Sequence, residues 1–252
     1  MPSSPPLHVP WGALIPDDQL AILNAGRAAA EQAGVRFVLG GALALATYTG
    51  RWRNTKDIDF VVHPDDHRRL IGALRRAGFE DYYEQLPYDR SWIFRGFREG
   101  VILDIIWDLP NHRVNVDEAW FSRAQPILIR DLTFHAMPLE ELIRAKLYVL
   151  QRERCDWVDV INALAGSTVV VDWEFLIRRM GRDVSLLHAM LVLFNWLCPG
   201  RAAELPAYAR TRFGLPVIET NDPAAMEARR VRLFDSRPWF APLEPDDRPL
   251  ER

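Results

Sequence analysis

The stretch TKDIDFVV, residues 55–62, decides how this chain is to be read. Its Ile, Phe and Val residues favour a strand. Side chains alternate across a strand, so Asp57 and Asp59 share one face while Ile58, Phe60 and Val62 share the other. Asp is a poor strand former, and two like charges on one face repel. Either that face is wet and the pair is solvated, or something cationic sits between them.

A second stretch narrows the choice. In VILDIIW, residues 101–107, apolar residues occupy both faces, which predicts a strand buried on both sides with Asp104 in its middle. A buried, unpaired carboxylate costs several kcal/mol, roughly the desolvation penalty of a charge in a protein. It therefore needs a proton, an arginine or a bound cation. If the two strands are neighbours, Asp57, Asp59 and Asp104 converge. Three carboxylates without His or Cys suit a hard ion, Mg2+ or alternatively Mn2+.

Upstream, VRFVL (35–39) predicts a short strand that runs into Gly40-Gly41, and ALALATYTG predicts a helix closed by Gly50. A strand–GG–helix junction can bring a phosphate to the free N–H groups of a helix N-terminus, although a GG pair is more often a tight turn. The spacing matches neither a dinucleotide fingerprint nor a P-loop. RWRNTK, residues 51–56, has three cations and no acid.

The bulk composition is that of a soluble globular protein: 252 residues, 49% apolar, 26% charged. No apolar run is long enough to span a membrane. The opening residues lack a secretory pattern, and with only two cysteines a reducing cytoplasm is expected. Cys155 and Cys198 form no disulfide framework, and with six His give no zinc spacing. A net charge of −3 argues against a uniformly basic nucleic-acid binder. Among 31 basic residues only Lys56 and Lys146 are lysine, against a background of arginine that codon usage would explain.

Residues 1–137 read as an α/β core behind a Pro-rich arm and an Asp17/Asp18-capped helix. Residues 138–200 read as a helical domain, and 201–252 as a partly irregular tail. Pro64 is expected to open the helix through Leu70 and Leu74.

The order strand–GG–helix–basic loop–DxD strand–helix–strands–Asp strand resembles the nucleotidyltransferase superfamily that shares its fold with DNA polymerase beta. Leu39-Gly40-Gly41, Asp57-Ile58-Asp59 and Asp104 stand at its signature positions. GGALAL with RNTKDIDF resembles the AbiEii-type or MenT-like branch, toxins of type IV toxin–antitoxin systems. That branch carries a later Lys, Arg and DxxD, as do Lys146, Arg152, Asp156 and Asp159.

The resemblance implies an α+β fold: a small mixed sheet with flanking helices, then a helical C-terminal region. It implies transfer of a nucleotidyl group from an NTP to an acceptor. Asp57, Asp59 and Asp104 would hold two Mg2+ ions, with Asp59 or Asp104 helping to remove the acceptor proton. Gly40 and Gly41 would hold phosphates. Lys146 would offset charge on the leaving pyrophosphate, assisted by Arg53 or Lys56, and Thr55 would offer a hydroxyl. Asp156 and Asp159 would orient Lys146 or face the base, or, three residues apart on a helix, form a solvated face. Apart from the resemblance, Arg152 would pair with Asp156 four residues on for purely structural reasons.

The acceptor is expected to be tRNA or a protein, with a cognate antitoxin as a further partner. A small drug of the aminoglycoside or lincosamide kind is the alternative, and a nucleotide-binding module without catalysis is a third reading. The basic loop at 51–56 and the pairs Arg68-Arg69 and Arg75-Arg76 favour an anionic acceptor, if they are more than a solvated helix face.

Overall fold

Alternating and helical periodicities are segregated along the chain, and the folded molecule follows that segregation. A computed structural model describes residues 6–152, 154–167 and 169–233. The first five residues of the expected arm and residues 234–252 of the expected tail lie outside the described residues. The chain forms two compact units, Met1–Ala145 and Lys146–Arg252.

In the first unit the elements run β1 (Leu7–His8), α1 (Asp17–Ala33), β2 (Phe37–Leu39), α2 (Gly41–Thr49), β3 (Asp57–Val62), α3 (His67–Arg76) and β4 (Glu80–Asp81). Then come β5 (Ile93–Arg98), β6 (Val101–Ile106), α4 (Glu118–Ser122), β7 (Gln125–Ile129), β8 (Leu132–Ala136) and α5 (Leu139–Leu147). Helix α1 starts after Pro16 and stops at left-handed Gly34. Asp17 and Asp18 lie inside its first turn, where their charge suits the helix dipole, rather than at the cap. Pro64 precedes α3 by three residues and belongs to a turn, so it does not open the helix.

The strands join in one mixed sheet of order β1-β7-β8-β2-β3-β6-β5-β4 among the described residues. It is wider than a minimal core because the β7–β8 hairpin extends one edge through the parallel bridge Leu39–Ala136. At its centre β3 runs parallel to β6, with Asp57 beside Ile102, Asp59 beside Asp104 and Val61 beside Ile106. β2 runs antiparallel to β3, and β5 antiparallel to β6.

One sheet face carries Leu39, Phe60, Leu103 and Ile105, all buried, together with Ile22, Leu23 and Ala30 of α1 and Leu70 and Leu74 of α3. Phe37 stacks on Phe60 with ring centroids 3.9 Å apart. Each fully buried side chain of this kind contributes about 1.5–3 kcal/mol. With that face committed to the core, register forces Asp57, Asp59 and Asp104 onto the other.

The second unit is helical: α6 (Trp157–Gly166), α7 (Trp173–Met180), α8 (Val184–Leu197), α9 (Pro199–Ala203), α10 (Ala207–Arg212) and α11 (Pro223–Val231). Asp172 caps α7 by accepting from Phe175 N–H (3.0 Å), and Asp222 caps α11 through Ala225 N–H (2.9 Å). Leu176, Leu187, Met190, Leu191 and Phe194 form its buried interior. Among the described residues no helix is long and apolar enough to cross a membrane.

Candidate active site

Strand alternation places Asp57 and Asp59 on one face, and the parallel register sets Asp104 directly beside Asp59. Asp104 is 2% exposed. Its Oδ1 is buried without a hydrogen-bond partner, while Oδ2 lies 3.4 Å from Arg95 Nη2, a loose ion pair. Burial, followed by the charge of Asp59, pushes the Asp104 carboxyl up to about 8; Arg95 opposes that rise, and Asp57 adds to it. At neutral pH Asp104 therefore holds a proton, and the arginine and the proton each supply part of the neutralisation that the buried position demands.

The two glycines sit against this carboxylate cluster. Gly40 N–H donates to Asp59 O at 2.9 Å. Gly41 has φ +48°, and a Cβ placed there would lie 1.7 Å from Asp59 Oδ2. At Gly40 a Cβ would meet Asp59 Cβ and Val61 Cγ2, each at 3.2 Å. The pair is thus more than a turn: it lets the first turn of α2 close onto the Asp59 carboxylate. Because Gly40 N–H is committed to the sheet, the free donors of this junction belong to the first turn of α2, which begins at Gly41.

Asp57 is steered from its own loop. Thr55 Oγ1 donates to Asp57 Oδ1 at 2.9 Å, and Gln19 Nε2 of α1 donates to Thr55 O at 2.8 Å. The loop is further anchored by Trp52, which stacks on Trp11 at 5.6 Å and donates from Nε1 to Asn54 Oδ1. Arg53 and Lys56 are exposed on the same loop.

Lys146 lies in the last turn of α5, where that helix passes from the first unit into the second. Its Nζ is 2.9 Å from Asp156 Oδ2 and 2.6 Å from Asp159 Oδ2, all three residues being buried. Arg154 grips Asp156 through Nε and Nη2, both at 2.9 Å. Burial raises the Asp156 carboxyl, but the Arg154 fork and the Lys146 ammonium together hold it below the usual carboxylate range. The partner of Asp156 is Arg154, not Arg152. Leu150 and Cys155 form an antiparallel bridge and α6 starts only at Trp157, so 152 and 156 never share a helix. Asp156 and Asp159 orient the lysine; they are not a solvated face.

Sequence reasoning missed Arg95, Gln19 and Arg154. An Arg in a strand beside Asp104 was visible in SWIFRGF, but its alignment with Asp104 depends on the β5–β6 register.

Among the described residues no group of three or more His, Cys, Asp or Glu side chains is gathered tightly enough to hold a metal ion as it stands. Asp57 is engaged by Thr55 and Asp104 by Arg95. The donor chemistry still fits a hard divalent ion: carboxylate oxygens on one face, one of them buried and without a partner.

A family model described as an uncharacterised nucleotidyltransferase matches residues 19–190. No curated protein matches the chain. Among solved structures, the antibiotic-resistance factor ANT(2'')-Ia is 15% identical, with a TM-score of 0.43, over 78% of this chain and 96% of its own. The lincomycin-bound lincosamide antibiotic adenylyltransferase LnuA is 17% identical, with a TM-score of 0.41, over 58% and 94%. JHP933 from Helicobacter pylori is 16% identical, with a TM-score of 0.40, over 86% and 92%.

Proposed function

This chain belongs to the uncharacterised nucleotidyltransferase family, and from that premise we propose that it moves a nucleotidyl group from an NTP to a hydroxyl of an anionic acceptor, RNA above all. The observation that carries the reading is the Asp59–Asp104 pairing in register, with Gly41 against Asp59 and one buried Asp104 oxygen without a partner. Setting the half-buried Asp59 beside the buried Asp104 carboxyl is costly for the fold alone, and groups perturbed in this way cluster at functional sites.

In this reading Asp57, Asp59 and Asp104 would hold Mg2+, which when bound would supply charge neutralisation at the triphosphate and the departing pyrophosphate. The bond from the acceptor oxygen to the α-phosphorus forms as the bond to the β-phosphate bridging oxygen breaks. Pyrophosphate carries away the electron pair, and the acceptor proton passes to the Asp59 carboxylate and on to solvent. Backbone N–H groups in the first turn of α2 orient the phosphates. Arg53 and Lys56, exposed on an acid-free loop, draw in anions. Thr55 holds Asp57 in its working rotamer. Lys146 takes the role the family resemblance gives it, a cation set against the leaving group. The same resemblance, carried by RNTKDIDF and by Lys146 with Asp156 and Asp159, supports a reading of the chain as a type IV toxin.

The test is incubation of the pure protein with each labelled NTP, Mg2+ and total RNA. Label should enter RNA with release of pyrophosphate, and Asp59→Ala should abolish it in a folded protein. Label entering protein or an aminoglycoside instead would reassign the acceptor. Full activity in Asp59→Ala would dismiss the site.

A further inference from the structure

We propose that the groove between α3 and β5 binds a single-stranded nucleic acid, with phosphates on Arg68, Arg75 and Arg90 and a base against Trp107. The groove has a volume of about 350 Å3 and an apolar floor that includes Ile71 and Phe94. Its rim is cationic. Arg75 and Arg90 both reach Asp81, at 3.4 and 2.9 Å, so one carboxylate answers two guanidinium groups. Burial raises the Asp81 carboxyl, but Tyr83 N–H, Tyr88 and the two arginines hold it below the usual range, so it stays ionised and the trio keeps a net positive charge. Arg68 is exposed on the same helix and adds a further charge.

These cations are already oriented. Arg75 lies 5.6 Å over the Phe94 ring, and Arg90 3.8 Å over Tyr83. Guanidinium groups fixed in this way lose little freedom on meeting a phosphate. The wall is aromatic: Trp107 stacks on His67 with centroids 4.2 Å apart and is pinned by donating from Nε1 to Ser91 O at 3.0 Å. Aromatic surface beside spaced cations is the combination that binds unpaired strands, because every base offers a π-face. Arg68 and Arg75 are seven residues apart on α3, about 10 Å at 1.5 Å per residue. That exceeds one phosphate and suits successive phosphates of a strand better than a free nucleotide.

The groove is distinct from the carboxylate site. Trp107 lies three residues beyond Asp104, about 10 Å along the strand direction, and alternation puts it toward the opposite sheet face. The inference rests on the RNA-acceptor reading only for its purpose; binding is measurable without NTP or metal.

The experiment is fluorescence anisotropy on the whole chain in EDTA. Labelled 12-nucleotide single strands of RNA and DNA are compared with a duplex of the same sequence and with labelled AMP, at several salt concentrations. Single strands should bind best. Arg68→Ala should weaken binding about threefold to tenfold and lower the log–log salt slope by about 0.7. Trp107→Leu should weaken it about tenfold or more. Arg68 is exposed, so its variant remains informative if the tryptophan variant fails to fold. Asp59→Asn should bind strands like the wild type even though it transfers nothing, which separates this claim from the transferase reading. Absence of strand binding overturns the proposal. So does wild-type binding by both groove variants, or AMP binding as tightly as the strand.

Discussion

Replacing Asp104 by Asn should make the protein more stable, and by an amount that depends on pH. The carboxyl is pushed from its ordinary 3.8 to about 8, chiefly by burial and then by Asp59. Between those values the folded protein keeps a proton that the unfolded chain has released, so stability falls as pH rises and the loss is complete above about 8. At about 1.4 kcal/mol per pH unit, the total is about 6 kcal/mol, of which about 4 kcal/mol is already lost at pH 7. Asn is nearly isosteric and never ionises. The variant should match the wild type near pH 4, exceed it by about 4 kcal/mol at pH 7, and gain little more beyond pH 8. Asp81 and Asp156, whose carboxyls are lowered, act in the opposite sense but equally in both proteins. Urea unfolding from pH 4 to 9 reads the difference directly. Equal stability at pH 8, or a gap that does not change with pH, would show that Asp104 is ionised and paired, and the case for a cation-seeking site would fail. Added Mg2+ should stabilise the wild type, releasing about one proton at pH 7, and should leave Asp104→Asn nearly unaffected.

The other predictions concern positioning. Gly41→Ala drives a Cβ to within 1.7 Å of Asp59 Oδ2 at φ +48°; we expect about 1–2 kcal/mol of backbone strain and about a hundredfold loss of kcat from the displaced carboxylate, read by pyrophosphate release alongside unfolding. Thr55→Val removes the hydroxyl that holds Asp57 and should lower kcat about tenfold, with Thr55→Ser restoring it; an unchanged rate would free Thr55 of that role. Lys146→Met removes the ammonium that two buried carboxylates share and should destabilise by about 3–5 kcal/mol, with Asp159→Asn in the same chain recovering part of the loss. If that double variant is folded yet inactive in transfer, Lys146 serves the reaction as well as the fold.

The shared face of Asp57, Asp59 and Asp104 was legible because strand periodicity is local. DIDF and VILD each state which side chains share a face, and an acid inside a two-sided apolar strand announces a cation, a proton or an arginine. The helix ends at Gly34 and Gly50 were likewise readable from residues that tolerate a left-handed backbone. Pro64 and Arg152 misled because each has a sound local rule that the surrounding turn overrides.

What the amino-acid order determined by itself is the set of faces: carboxylates to one side of β3 and β6, apolar residues to the other. What only the tertiary structure decided is who stands beside whom. Asp59 abreast of Asp104, Arg95 across from it, Gly41 pressed on the carboxylate and Gln19 bracing Thr55 all depend on strand order and register. Those are settled by how the whole sheet buries its core face, and no window of sequence contains that information.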